Sequence, residues 1–204
     1  MINKKNLKKH INSYGKNCML RWGVSGEYHY LSNGYSLIKG DSRVFDTEII
    51  GLLYKYFGKI PTKKDGILRN DEEYKEKLRI QVYVSKQCNN TIKMFEELTK
   101  VEDDYPTYKF AEISICRPQY LSHNEMMIYA SGNKLSVVDR KLHELIDYDV
   151  FRGIIKKKPV PYTPLIFADN KTSTVYCIMP IRSDSVPEII NNEIWEYVDK
   201  KVEV

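Results

Sequence analysis

A ten-residue pattern occurs twice in this chain, and it limits the possible folds more than any other feature. Val44-Phe45-Asp46-Thr47-Glu48-Ile49-Ile50-Gly51-Leu52-Leu53 and Val137-Val138-Asp139-Arg140-Lys141-Leu142-His143-Glu144-Leu145-Ile146 share the form V-[FV]-D-x-x-[IL]-x-x-L-[LI], with their aspartates 93 positions apart. Two apolar residues followed by Asp read as a strand running into a helix, because the carboxylate can accept the unpaired N–H groups of the first helical turn. Apolar residues three, six and seven positions beyond the Asp then share one helical face. A chain carrying this strand–cap–helix unit twice is predicted to be an internal duplication.

The elements around the two copies fall in one order. In the first copy, residues 3–14 predict a helix with Leu7, Ile11 and Tyr14 on one stripe and Gly15 as its stop. Strands at 18–24, 28–31 and 35–39 follow, turning at Ser25-Gly26 and at Ser32-Asn33-Gly34, which carries the Asn-Gly hairpin signature. The helix capped by Asp46 presents Ile49, Ile50, Leu52, Leu53, Tyr56 and Phe57, ends at Gly58 and Pro61, and is followed by strands at 67–69 and 78–84. In the second copy a helix at 91–99, with Ile92, Phe95 and Leu98, precedes strands at 108–116, 126–130 and 135–138. The helix capped by Asp139 is read as breaking near 147–149 and resuming to Ile155, with strands at 165–167 and 175–181 beyond it. Residues 67–71 align with 165–169, and 78–82 with 175–179.

The predicted fold class is α+β: two similar small domains, 1–86 and 87–183, each an antiparallel sheet with its helices on one face. Residues 184–204 lie outside the repeat, where Ile189, Ile190, Ile194, Trp195 and Val198 predict an amphipathic C-terminal helix with Pro187 near its first turn. Such a helix packs on its own domain or serves a partner or a second copy of the chain.

Charge is unevenly spread. Residues 1–85 carry 16 Lys and Arg against 9 Asp and Glu, a net +7, whereas residues 86–204 carry 16 against 18, a net −2. A basic first half suits either a solvated lysine surface or a nucleic-acid face. Three clusters stand out: Lys4, Lys5, Lys8 and Lys9 on the first helix, Lys63-Lys64 after the helix capped by Asp46, and Lys156-Lys157-Lys158 at the equivalent place in the second copy. Aligned on one face they would hold phosphates without reading sequence, since Arg-rich or aromatic interleaving for base readout is missing. The basic N-terminus lacks the apolar core of a signal peptide, and no apolar run reaches the length of a membrane span. A soluble, cytoplasmic protein with no membrane partner is expected. Cys18, Cys116 and Cys177 lie in apolar runs, as buried free thiols do, and no spacing of Cys or His suggests a metal site.

Catalytic motifs are missing from the sequence. It holds no phosphate-binding glycine loop, no nucleophile elbow and no HExxH. His143 beside Glu144 reads as helix surface, because neighbours on a helix point in different directions. The acidic run Glu102-Asp103-Asp104 reads as a solvated loop. With no nucleophile, base and orienting group in reach of one another, no enzyme activity and no cofactor are expected.

Val175-Tyr176-Cys177-Ile178-Met179-Pro180-Ile181-Arg182, preceded by Leu165-Ile166-Phe167-Ala168-Asp169-Asn170, resembles the closing strand of bacterial DNA sliding clamps, which ends in Met-Pro-hydrophobic-Arg. The element order is also similar to a clamp domain, with two helices against one side of an antiparallel sheet. The resemblance implies that Lys4, Lys5, Lys8, Lys9, Lys63, Lys64, Lys156, Lys157 and Lys158 face duplex DNA, bound sequence-independently. It also implies that Met179, Pro180, Ile181 and Arg182 border a partner pocket. The chain departs from that family in its short domains, in Glu96-Glu97 on the helix of the second copy, and in the 22 residues beyond Arg182. The expectation is a non-enzymatic, clamp-like scaffold for DNA or replication proteins. The alternative is a phage or mobile-element accessory that binds and modulates a host protein without DNA. In that case the helix bearing Ile190, Trp195 and Val198 is the first candidate contact.

Overall fold

The computed structural model describes residues 2–70, 86–101, 107–116, 125–131, 134–147, 152–155, 164–169 and 173–180. Helix α1 (Lys4–Lys16) leads into a meander of β1 (Arg21–Ser25), β2 (Tyr28–Ser32) and β3 (Ser36–Gly40), followed by α2 (Thr47–Phe57) and β4 (Ile67–Arg69). Helix α3 (Lys86–Leu98) opens a second meander of β5 (Thr107–Cys116), β6 (Glu125–Ser131) and β7 (Lys134–Asp139). Helix α4 (Arg140–His143), β8 (Arg152–Ile155), β9 (Leu165–Asp169) and β10 (Thr174–Ile178) complete the described elements. The described strands form one sheet in the order β4-β1-β2-β3-β10-β9-β8-β5-β6-β7, antiparallel throughout, and the class is α+β.

Both aspartates of the repeated pattern cap helices. Asp46 Oδ1 accepts from Ile49 N at 3.0 Å, and Asp139 Oδ1 accepts from Lys141 N at 2.8 Å. Helix α2 runs for three turns to Gly58, whose left-handed φ of 70° closes it as the sequence predicts. Helix α4 stops after one turn, which corrects the predicted helix reaching residue 155. The helix tightens at its end, with Leu145 N and Ile146 N donating to Leu142 O and His143 O, and the carbonyls just beyond are met by the N-terminal segment. Asn3 N donates to Leu145 O at 2.9 Å, Asn6 Nδ2 donates to Glu144 O at 2.7 Å, and Ile2 pairs with Ile146 in an antiparallel bridge. Residues 152–155 are instead strand β8, which lies antiparallel to β5 as β4 lies to β1. The strand in β4's position is therefore β8, not the aligned 165–167. The predicted strand at 78–84 and the predicted helix at 187–202 lie outside the described residues.

Strand alternation divides the core into two layers. On one face Trp22, Leu31, Ile38, Leu165, Phe167, Tyr176 and Ile178 meet α1 through Leu7 and Ile11, α2 through Ile49 and Leu53, and α4 through Leu142. On the other, Tyr30, Leu37, Ile67, Ile166, Val175 and Cys177 meet α3 through Phe95, with Ile92 and Leu98 half-buried beside it. The expected single helical face is thus corrected: α3 covers the reverse side, where Ser25 Oγ donates to Glu96 Oε1 at 2.5 Å. The sheet also curls. Tyr176 on β10 donates its hydroxyl to Leu142 O at 2.8 Å, although five strand intervals, roughly 24 Å in a flat sheet, separate β10 from β7. A shift in the β5–β6 register between Phe110 and Ser114 supplies a bend of the kind a bulge produces.

Helices α1 and α2 lie side by side and run in the same direction. Lys4 meets Asp46, Lys8 meets Glu48, and Tyr56 Oη donates to Asn12 Oδ1 at 2.7 Å. Glycine at position 15 permits this approach: a Cβ there would stand 2.8 Å from the Tyr56 ring. Gly15→Ala gains up to about 1 kcal/mol of helix propensity, yet it should lower stability in urea melts, and the sign should reverse in a Tyr56→Ala background. Leu53, fully buried, should lose roughly 2–5 kcal/mol on truncation to Ala. Leu52, predicted as core but only half-buried, should lose less in the same measurement.

Candidate functional site

The predicted lysines are not equivalent in space. Lys4 and Lys8 point at α2 and are held by Asp46 and Glu48, while Lys5 and Lys9 are exposed one turn apart. Lys4 is the first cause of the lowered Asp46 pKa, and the backbone N–H of Ile49 adds to it. Lys63 and Lys64 are exposed in a turn that Asp65 fastens, accepting from Thr62 N and Thr62 Oγ1 at 2.8 Å each. Because α1 and α2 are parallel, that turn lies beyond the C-terminal end of α2, while Lys5 and Lys9 sit near the N-termini. The eleven residues of α2 put roughly 16 Å between its ends. Lys156, Lys157 and Lys158 lie outside the described residues, as do Ile181, Arg182, Ile190, Trp195 and Val198. Met179 is 38% exposed and Pro180 half-buried.

A pocket of about 480 Å³ opens where α1 ends and β1, β3 and β4 begin or end. Its wall includes Cys18, Met19, Arg21, Tyr35 and Arg69. Arg21 and Arg69 are direct partners across β1 and β4, two cations set opposite each other on one face of the sheet. Tyr35 is 56% exposed and Met19 is 38% exposed. Tyr35 O accepts from Met179 N at 2.8 Å, so a third exposed apolar side chain belongs to this end of the sheet. Asn70, buried, holds the frame: it accepts from Leu20 N at 2.7 Å and donates to Gly15 O at 2.9 Å. Sequence reasoning missed the arginines because 48 positions separate them and only the β1–β4 pairing unites them.

Cys18 occupies an unusual position on the rim. Helix α1 closes with Cys18 N donating to Gly15 O and Met19 N donating to Tyr14 O, the paired bonds of a Schellman turn. That turn needs a left-handed residue, usually glycine, and Cys18 fills it at φ 55°. Cys18 is half-buried, which corrects the expected buried thiol, whereas Cys177 is buried and its Sγ donates to Leu98 O at 3.3 Å. Cys18→Gly should raise stability by roughly 0.5–1 kcal/mol, the left-handed penalty less the extra chain entropy of glycine, readable as an increased midpoint of denaturation.

The same end of the sheet contains a buried histidine of fixed tautomer. Asn33 Oδ1 accepts from Tyr35 N at 2.9 Å and Ser36 N at 2.7 Å, so its amide nitrogen faces His10 Nε2 at 3.3 Å. His10 must therefore accept through Nε2 and carry its proton on Nδ1. Burial lowers its pKa from 6.5 to about 4. His143, read from sequence as surface, is buried against the core; burial first, then the Arg140 charge, lowers its pKa to about 4 as well. Both histidines fold neutral while the unfolded chain protonates near 6.5. Their stabilisation is complete above that pH and is lost as pH falls toward about 4. Each contributes up to roughly 3 kcal/mol to that loss. Denaturation midpoints from pH 7 to pH 4 should fall steeply, and less so in His10→Gln.

Among the described residues no group of His, Cys, Asp and Glu could hold a metal ion, and no helix is long and apolar enough to cross a membrane. Comparison with protein-family models, curated proteins and solved structures returns no match.

Proposed function

We propose that this protein is a non-enzymatic, clamp-like scaffold built by duplication, which associates with duplex DNA and with a protein partner. The observation that carries this reading is the repeated order within the sheet. β4-β1-β2-β3 and β8-β5-β6-β7 are each a meander, an Asp-capped helix, and a strand that returns beside the meander's first strand. Parallel α1 and α2 across one face, with Lys5 and Lys9 outward, support a phosphate-binding surface. Lys4 and Lys8 contribute less to it, since Asp46 and Glu48 already neutralise them. The family resemblance of Met179 and Pro180 and the pocket beside them support the partner site.

Duplex binding should weaken as salt rises, because each neutralised phosphate releases counterions, with a log–log slope near −0.9 per contact. Lys5→Glu with Lys9→Glu should flatten that slope by roughly 2 units and weaken binding equally across DNA sequences. Lys4→Gln should change it little. No duplex binding by the wild type at low salt would remove the DNA half of the reading. A second reading, a scaffold that works through protein contacts alone, is favoured by the ion pairs that occupy two of the four α1 lysines.

A further inference from the structure

We infer that the outward side of α2 and the loop after it form a docking face for an acidic amphipathic helix of a partner protein. None of these residues lines the pocket beside Met179, and the inference does not depend on DNA association.

The apolar half of the face comes from Tyr54 and Ile60, which are 52% and 48% exposed although large. Helical spacing places Gly51, Tyr54, Lys55 and Gly58 on one outward stripe of α2. The left-handed φ of Gly58 explains that glycine, but Gly51 lies within the helix. A Cβ at Gly51 would meet nothing within 4 Å, so the fold itself has no need of glycine there. Glycine is the poorest helix residue after proline, and its use is close approach by another chain. Tyr54 therefore stands between two bare positions, a relief into which a row of partner side chains can pack.

The loop beyond Gly58 supplies charge. Lys59 Nζ meets Asp65 Oδ1 at 2.5 Å and closes the segment 59–65 at its base. Asp65 N donates to Thr62 O at 2.9 Å, and Pro61 and Asp65 are buried, which leaves Ile60, Lys63 and Lys64 facing out. Lys55 adds a cation in the last turn of α2. The ion pairs of the described residues include neither Lys55, Lys63 nor Lys64. Charge complementarity thus calls for an anionic occupant.

The pairing of cations with exposed apolar side chains decides its class. Duplex phosphates would satisfy the lysines but leave Ile60 and the Tyr54 ring uncovered. A lipid surface takes side chains that protrude together, whereas the bare Gly51 and Gly58 leave α2 recessed on either side of Tyr54. An amphipathic helix meets both demands, its apolar ridge lying against Tyr54 and Ile60 and its carboxylates reaching the lysines. The loop is set in advance by the bonds from Thr62 to Asp65, which reduces the entropy cost of binding.

The test uses the full chain and a fluorescein-labelled helical peptide about four turns, roughly 14 residues, long, with leucines on one stripe and glutamates beside it. Fluorescence anisotropy should detect binding, with affinity falling about tenfold or more when the glutamates become Gln or the leucines Ala. Tyr54→Ser, and Lys63→Gln with Lys64→Gln, should each cause a comparable loss. Lys93→Gln, on the reverse side of the sheet, should not. Gly51→Gln is the sharpest variant: it should raise the midpoint of denaturation, as a better helix former does, yet weaken the peptide by filling the bare position. Its loss of binding could not be laid to misfolding. No peptide bound at millimolar concentration would overturn the inference. So would binding indifferent to both Gly51→Gln and Tyr54→Ser, or displacement of the peptide by a DNA duplex or by phosphatidylserine vesicles in a Tyr54-dependent manner.

Discussion

The backbone bond from Asn3 N to Leu145 O decides how the rest of the chain is arranged. It joins the segment just before α1 to the end of the second occurrence of the repeated pattern. With the Ile2–Ile146 bridge and the Asn6 side chain, it caps the open end of α4 from outside. α4 ends after one turn, where Leu145 N and Ile146 N donate to Leu142 O and His143 O in tighter three-residue turns, and the chain returns as β8. The same contact seats α4 next to α1, and Tyr176 fixes it from the other side through Leu142 O. Leu142, Leu145 and Ile146 consequently join Leu7, Ile11, Ile49 and Leu53 in one apolar cluster. The two copies of the pattern therefore share a core.

What the sequence revealed follows from the range of each interaction. Caps, stripes and turns are local, and Asp46, Asp139, Gly58, Leu53 and the Asn33-Gly34 turn take the roles their neighbours dictate. The end of α4 is not local. It depends on Asn3 and Asn6, more than a hundred positions away, and nothing in Asp147-Tyr148-Asp149 distinguishes an interrupted helix from a strand to come. The side of the sheet taken by α3 was equally hidden. Ile92, Phe95 and Leu98 make the same stripe on either face, and strand alternation leaves both faces apolar at β3, β9 and β10.

The candidate site divides in the same way. Lysines can be counted in a sequence, but the carboxylates that claim them cannot. Lys4 and Lys8 stand one turn apart on the side facing Asp46 and Glu48, whereas Lys5 and Lys9 stand one turn apart facing water. The pattern Lys-Lys-x-x-Lys-Lys thus splits into a structural pair and an available pair, and the split is set by the parallel packing of α1 on α2. The burial of His143 has a related cause: on α4 it turns to the core beside Leu142, while Arg140, Lys141 and Glu144 take the exposed side.

Helix α1 connects two surfaces on which a binding role rests. Its N-terminal half presents Lys5 and Lys9, and its C-terminal Schellman turn forms the rim of the arginine pocket. Nine residues separate Lys9 from Cys18, roughly 13 Å along the helix, more than one Debye length at physiological salt. His10, midway along α1, is the one buried titratable group on the helix that reaches the pocket wall, through Asn33 to the backbone of Tyr35. Protonating it would set N–H against N–H at Asn33 and strain that turn while leaving the lysine pair untouched. Acid should accordingly disturb the turn that carries Tyr35.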